Sequence, residues 1–353
     1  MQTIILEPTQ ANIGLAGEII KSGGQVAFPT ETVYGLGANA LDAAAVSMIY
    51  KIKGRPSDNP MIVHIAAAGD IEKLAKNVPE QAFMLAEAFW PGPLTMVLRR
   101  RECVPDTTTG GLNTVGIRMP DNEAALELIR QSGCPIAAPS ANISGKPSPT
   151  CAEHVYQDLR GKIPFIINGG ACRVGIESTV LDMTGSIPVI LRPGAIGKSD
   201  IREITGVDPR YHASLADVEK FIEKTDIGKE EHFRKASLTP SDAVKSPGMK
   251  YRHYAPKAPV TVFIGEENAV LNRLSATENS AVKENRNVGI VKFDLAASEQ
   301  AAHELFSCLR KLDMQGVSAI YIGVINNSQL GDGTAFAYIE RLMRSANYNA
   351  VFV

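Results

Sequence analysis

Short apolar runs alternate with segments of helical spacing over residues 1–195, and this alternation predicts many strands and fewer helices. The predicted strands are Gln25–Phe28, Met61–Ala66, Leu94–Leu98, Thr114–Met119, Ile136–Ala138, Phe165–Ile167, Ser178–Leu181 and Val189–Leu191. The predicted helices are Ala11–Lys21, Asp42–Ile52, Glu80–Phe89, Asp121–Gln131 and Ala152–Leu159, with a helical turn near Asp200–Thr205. This pattern favours an α/β fold with a large, open, twisted mixed sheet over a plain doubly wound parallel sheet.

Residues 259–353 repeat a simpler order of strand and then helix. The predicted pairs are Val260–Ile264 with Glu266–Ala276, Val288–Phe293 with Glu299–Leu312, and Ala319–Val324 with Thr334–Ser345. Parallel strands with crossover helices follow, so we predict a smaller Rossmann-like βαβαβα domain. The intervening stretch is charged and has few strand signals, which is typical of a linker. We therefore divide the chain into a larger domain (1–206), a linker (207–258) and a C-terminal domain (259–353).

Composition excludes several classes of protein. The 36 Lys and Arg against 38 Asp and Glu give a net charge of −2, so no global basic field exists to hold nucleic acid. Aromatic residues make up 6%, which argues against a base-stacking surface. The five cysteines form no CxxC pair, which favours a reducing cytoplasm and disfavours a structural zinc site. No apolar run is long enough to predict a membrane span.

One glycine-rich motif resembles a dinucleotide-binding fingerprint. Residues 35–40 read GLGANA and match GxGxxA, but the dinucleotide motif must follow a strand directly. Here Pro29–Tyr34 intervenes, so we interpret the motif as a glycine turn that lets two backbones approach.

Five polar blocks lie at strand ends or in loops, where function concentrates. They are residues 29–35, 51–60, 114–120, 137–148, and 175–180 with 191–194. In the second block, Lys51, Lys53 and Arg55 alternate beside Gly54 and predict an extended basic loop suited to polyphosphate. A solvated basic loop would have the same pattern, just as hydroxyl-rich turns would explain the others.

Two polar residues stand inside apolar strands. Burial of Arg118 requires an anion, and either a substrate carboxylate or an internal Asp or Glu would serve. A lone strand histidine such as His64 is more often a satisfied core residue. The blocks contain no Ser-His-Asp arrangement, metal-ligand cluster or carboxylate dyad. They indicate positioning and electrostatic catalysis on a phosphate substrate.

The ordered set of motifs resembles the YrdC-type threonylcarbamoyl-AMP synthase family, and the C-terminal extension resembles its longer, two-domain members. The motifs are PTETVYGLG (29–37), KIKGRPSDNPMIVHI (51–65), FWPGPLTMVL (89–98), VGIRMPD (115–121), PIAAPSANISGKPSPT (135–150), ESTVLDMTG (177–185), ILRPGAI (190–196) and SPGMKYRHYAP (246–256). The resemblance covers essentially the whole chain.

This resemblance implies an open twisted α/β sheet with a positively charged concave face. It implies a cytoplasmic nucleotidyltransferase that makes threonylcarbamoyl-adenylate from L-threonine, bicarbonate and ATP with Mg²⁺, releasing pyrophosphate. The product feeds the t6A modification of tRNAs that decode ANN codons. The implied partners include transient contact with the tRNA threonylcarbamoyl-transferase machinery, but no membrane, and direct tRNA binding is left open.

The resemblance also assigns site residues. Residues implied to bind ATP are Lys51, Lys53, Arg55, Asn59, Thr114, Ser140, Ser148 and Arg192, with Tyr251 and His253 of the linker closing over it. Residues implied to bind L-threonine are Thr32, His64, Arg118, Ala138 and Ser178. Lys53 and Arg55 are the implied catalytic residues, because they would screen the triphosphate from the anionic carbamate, and Arg118 would meet the substrate carboxylate.

Two alternatives stay open at this point. One is a non-catalytic RNA-binding or ribosome-assembly module that uses the concave basic face, although the near-neutral composition and scarce aromatics disfavour it. The other is an adenylate-forming enzyme with a different amine substrate, such as serine.

Overall fold

The computed structural model describes residues 1–216, 218–219, 231–232, 254–325 and 332–353. These residues form two compact units. The first unit comprises residues 1–144 and 148–212, and the second comprises residues 145–147 with the described residues from 213 onward. Most of the predicted linker lies outside the described residues, so the boundaries at 206 and 258 stay predictions.

The first unit is built on a mixed sheet of eleven strands, in the order β1-β8-β2-β3-β7-β4-β6-β5-β9-β10-β11. The strands are β1 (Ile4–Leu6), β2 (Val26–Phe28), β3 (Gly35–Asn39), β4 (Ile62–His64), β5 (Leu94–Arg99), β6 (Thr114–Arg118), β7 (Ile136–Ala138), β8 (Phe165–Ile167), β9 (Thr179–Asp182), β10 (Val189–Arg192) and β11 (Arg210–Tyr211). Parallel and antiparallel pairs both occur in it: β4 is parallel to β6, whereas β3 and β4 are both antiparallel to β7. The predicted large mixed sheet is confirmed.

Helices cover this sheet with apolar faces. They are α1 (Gln10–Lys21), α2 (Ala43–Lys53), α3 (Ile71–Leu74), α4 (Glu80–Phe89), α5 (Asp106–Thr109), α6 (Glu123–Ser132), α7 (Ala152–Leu159) and α8 (Lys198–Thr205). Ile13 and Ile20 of α1 pack with Leu128 of α6 against Phe28 of β2. Asp42 caps α2, because its carboxylate accepts hydrogen bonds from the backbone N–H groups of the first turn.

The second unit contains a five-stranded sheet in the order β12-β16-β13-β15-β14. Its strands are β12 (Glu231–His232), β13 (Val260–Gly265), β14 (Val288–Asp294), β15 (Ala319–Ile325) and β16 (Ala350–Phe352), and its helices are α9 (Glu267–Lys283), α10 (Ser298–Met314) and α11 (Thr334–Ser345). The strands β13 to β16 pair in parallel, whereas β12 is antiparallel to β16. The predicted βαβαβα order is confirmed, with the β12 and β16 strands in addition.

The glycine-turn interpretation of residues 35–40 is wrong. Gly35–Asn39 is a buried strand, β3, which pairs antiparallel with β2 and β7. A Cβ atom on Gly37 would lie 2.7 Å from Ile136 Cγ2 and 2.8 Å from Phe28 Cε1. The glycine is therefore required by close packing within the sheet. With glycine at positions 35 and 37, the strand shows no clear alternation of apolar and polar side chains.

The basic block 51–55 is also not the predicted extended loop. Lys51 and Lys53 form the last turn of α2, and the loop begins at Gly54, which adopts the left-handed conformation at φ 62°. Residues two apart on a helix point to nearly opposite sides. Accordingly, Lys51 is exposed and Lys53 is 2% exposed.

Candidate functional site

His64 and Arg118 lie side by side at the ends of β4 and β6, where the strand register pairs them directly. Arg118 Nη2 is 2.6 Å from Glu31 Oε1, and Arg118 Nε donates a hydrogen bond of 3.2 Å to the Gly92 carbonyl. The internal carboxylate that the sequence left open is therefore Glu31. Of the three guanidinium nitrogens, Nη1 has no partner among the described residues, so it is available to a ligand carboxylate.

His64 is buried and uncharged at neutral pH. Its Nδ1 is 3.4 Å from the Ile136 carbonyl oxygen. Its ring packs edge-on against the Phe28 ring, with 5.8 Å between the ring centroids. Burial, together with the positive charge of Arg118, lowers the pKa of His64 to about 3. With Nδ1–H directed at the Ile136 carbonyl, Nε2 is a hydrogen-bond acceptor, which suits a ligand hydroxyl.

The remaining predicted threonine contacts surround this pair. Thr32 follows Glu31 directly, and its Oγ1 is 2.8 Å from Thr30 Oγ1. Ala138, on β7, pairs with Ile62, two residues before His64. Ser178 Oγ is 2.8 Å from Thr95 Oγ1 on β5, the strand beside β6. The structure thus places His64, Arg118 and Ala138 on three strands of one sheet, Thr32 in the loop between β2 and β3, and Ser178 directly before β9.

Lys53 is held by the loop that follows β7. Its ammonium donates to the carbonyls of Ser140 and Asn142 and lies 3.4 Å from Asn142 Oδ1. A buried ammonium needs such acceptors to offset its lost hydration. The geometry therefore shows Lys53 fixing the Ser140 loop, and Lys51 lies exposed on the other side of the helix.

Arg55 and Asn59 form a second buried part of this region. Arg55 Nη2 donates to the Pro60 carbonyl at 3.0 Å, and its Nε lies 3.4 Å from the Asn59 carbonyl. Asn59 Oδ1 is buried without a hydrogen-bond partner in the described part of the chain. A buried amide oxygen in that state is one that a ligand or ion commonly satisfies.

Two of the other predicted nucleotide contacts, Ser148 and Arg192, make side-chain hydrogen bonds. Ser148 Oγ donates to Glu177 Oε1 at 2.5 Å. Arg192 donates to the Ser178 carbonyl at 3.0 Å and to Ser178 Oγ at 3.1 Å. Thr114 opens β6, four residues before Arg118. Arg192 thereby links the two predicted groups of residues, whereas Tyr251 and His253 lie outside the described residues.

Sequence reasoning did not assign four residues that the structure places in this region: Glu31, Thr95, Asn142 and Glu177. Three of them stand in polar blocks that the sequence singled out, so the signal was available. Thr95 lies within an apolar strand and gave none.

A dedicated metal centre has no donor set in the part of the chain that the structure describes. Those residues contain no group of three or more His, Cys, Asp or Glu side chains placed to hold a metal ion. Among the same residues, no helix is both long and apolar enough to cross a membrane.

Comparison with known proteins matches both parts of the chain to family models. Residues 18–194 match a family described as "Telomere recombination", and residues 211–347 match "Threonylcarbamoyl-AMP synthase, C-terminal domain". The threonylcarbamoyl-AMP synthase of Pyrococcus abyssi is 45% identical over 351 residues, covering 97% of this chain and 96% of that protein. That of Bacillus subtilis is 41% identical over 97% of this chain and 94% of its own.

A solved structure gives the same result for the fold. The crystal structure of P. abyssi Sua5 complexed with L-threonine superposes with a TM-score of 0.88 at 44% identity, and the match covers 100% of both chains.

Proposed function

The chain belongs to the threonylcarbamoyl-AMP synthase family in its two-domain form, and from this premise we propose that it makes L-threonylcarbamoyladenylate from L-threonine, bicarbonate and ATP. It would act as a nucleotidyltransferase and release pyrophosphate. We further propose that it works in the cytoplasm and that its product passes to the machinery that threonylcarbamoylates tRNA.

The observation that carries the proposal is that the two predicted binding regions are contiguous. Ala138, at the end of β7, belongs to the predicted threonine pocket, and Ser140, two residues on, is held by the buried Lys53. Two residues of extended chain span about 7 Å. A bound amino acid and a bound α-phosphate would therefore occupy neighbouring sites, as a reaction between them requires.

The pocket beside Arg118 suits a small hydroxylated amino acid. The free Nη1 of Arg118 would bind the α-carboxylate, and neutral His64 would accept a hydrogen bond from the side-chain hydroxyl. Small Ala138 leaves space for the side chain. Thr32 and Ser178 would complete the polar wall.

The proposed reaction has two steps, and each step forms one bond and breaks another. The neutral amine of threonine forms a C–N bond with bicarbonate and water leaves, which gives a carbamate anion. A carbamate oxygen then forms a bond to the α-phosphorus while the bond from that phosphorus to the bridging oxygen breaks and pyrophosphate leaves. Arg55 would screen the triphosphate from this anionic nucleophile, and Lys53 would hold the Ser140 loop in place.

We propose that Mg²⁺ enters as MgATP, bound by the phosphate oxygens. The described residues offer no three-ligand cluster of their own, so a resident metal does not fit them.

An Arg55→Ala variant tests the proposal. We expect threonine-dependent pyrophosphate release to fall by at least about 100-fold, since a charge-stabilising contact in the transition state is lost. The matched control is Arg202→Ala, which removes an exposed arginine of α8 and should keep wild-type turnover. Wild-type turnover in Arg55→Ala would refute the role given to this loop.

A further inference from the structure

Glu31 and Arg118 form an ion pair in which both side chains are buried, with exposed fractions of 1% and 4%. Neither carboxylate oxygen of Glu31 has a hydrogen-bond partner in the described residues, although Arg118 Nη2 lies 2.6 Å away. The backbone of Glu31 is fixed by a 2.7 Å hydrogen bond from Val174 N–H to its carbonyl. A buried carboxylate with so few partners costs free energy, and such groups are often retained for function.

The two charges of this pair balance one another, and its neighbours His64 and Cys172 are neutral. His64, beside Arg118 in the strand register, is uncharged because burial lowers its pKa to about 3. Cys172, which interacts electrostatically with both members of the pair, is a neutral thiol, since burial raises its pKa. Glu31 contributes −1 and Arg118 contributes +1, so the pair has no net formal charge before a ligand enters.

This balance distinguishes between ligands of different charge. A zwitterionic amino acid brings one carboxylate and one ammonium, so the balance of charge around this pair is unchanged. A hydroxy acid without the amine brings a lone negative charge next to Glu31, and an uncompensated charge in a buried site is unfavourable.

We propose that Glu31 is a positioning and specificity-determining residue, which holds Arg118 through Nη2 and makes the pocket prefer a zwitterionic amino acid over the matching amine-free acid. This rests on the proposed function, in which Arg118 binds the carboxylate of threonine. The contact with Glu31 leaves Nη1 to the ligand, and the Gly92 carbonyl fixes Nε from the other side. The carboxylate of Glu31 supplies the negative charge that the substrate ammonium compensates.

The test is a ratio of two affinities measured by calorimetry. L-Threonine and (R)-3-hydroxybutanoate differ only in the amine, so the ratio of their dissociation constants isolates the contribution of the ammonium. We expect the wild type to prefer threonine by at least about 30-fold, and Glu31→Gln to lower this preference at least about tenfold, the effect of one close charge. Glu31→Asp keeps the charge and should retain the preference.

If Glu31 had only a structural role, its substitution would lower the affinity for both ligands equally and leave the ratio of the two dissociation constants unchanged. Glu80→Gln, an exposed substitution at the start of α4, is the matched control and should behave as the wild type. A Glu31→Gln ratio within about threefold of the wild-type ratio overturns the proposal. If that variant does not fold, the wild-type protein alone still tests the proposal. A dissociation constant for (R)-3-hydroxybutanoate within about threefold of that for L-threonine would also overturn the proposal.

The proposed function is tested separately in the same preparation. Pyrophosphate release that does not depend on threonine would refute the proposed reaction. The ratio of the two dissociation constants would still test the role of Glu31. Wild-type protein that binds neither ligand would contradict both.

Discussion

At the scale of single residues, the site is organised by buried charges that have few partners. A guanidinium such as Arg118 is stable inside a sheet only beside an anion, and Glu31 supplies it at 2.6 Å. Lys53 is stabilised instead by the backbone carbonyls of the Ser140 loop, which accept hydrogen bonds from its ammonium. The charge of Arg118 in turn adds to burial in keeping His64 neutral. Each of these residues therefore depends on a neighbour in the site for its charge state or its orientation.

His64 should make the stability of the protein depend on pH. Its pKa is about 3 when folded, against about 6.5 in an unfolded chain, so the unfolded state binds the proton more readily. Stability is therefore complete above pH 6.5 and is lost as the pH falls toward 3. At pH 5 the loss is roughly 2 kcal/mol, from 1.4 kcal/mol per unit of pKa.

Urea unfolding at pH 7.5 and pH 5 measures this effect in the wild type and in His64→Gln. We expect the variant to lose roughly 2 kcal/mol less on acidification, because its side chain does not titrate. An identical pH dependence in the two proteins would show that His64 is not buried as a neutral group.

At the scale of elements, the sequence predicted those segments whose apolar pattern is strong. The strands Ile136–Ala138 and Phe165–Ile167 and the helix Ala152–Leu159 match the structure to the residue. The strand Gly35–Asn39 was missed because its glycines serve packing against neighbouring strands and give no alternation. The basic block was misread because a helix end at Gly54 separates Lys51 from Lys53, and their opposite burial depends on tertiary packing.

The candidate site shows the same limit. The sequence predicted which residue types and polar blocks belong to the site, but it did not predict which side chains contact each other. The Arg118–Glu31 pair joins residues 87 positions apart, and the Ser178–Thr95 contact joins residues 83 apart. Such pairs follow from strand order in the sheet, which a local pattern does not contain.

Substitution of Gly37 tests the packing account of β3. We expect Gly37→Ala to lower the free energy of unfolding by about 1–3 kcal/mol, because its Cβ would overlap Ile136 and Phe28. The control is Gly14→Ala within α1, where a Cβ would have no neighbour within 4 Å. That change should stabilise the helix by about 0.5–1 kcal/mol. Equal effects of the two substitutions in urea unfolding would contradict the account.

At the scale of the whole molecule, every predicted site residue that the structure describes lies in the first unit. The chain carries a net charge of −2, so attraction of the proposed nucleotide substrate would have to come from local groups such as Arg55 and Arg192 and not from a global field. The comparisons extend over both units, and they assign the chain to one family along its length.

The central claim is that one product joins threonine, bicarbonate and the adenylate of ATP. The most direct measurement follows two labels, carbon-14 bicarbonate and ATP labelled with phosphorus-32 at the α-phosphate, after incubation of the wild-type protein with or without L-threonine. The account predicts a single product carrying both labels, formed only when threonine is present. Both labels in separate products, or a doubly labelled product formed without threonine, would contradict it.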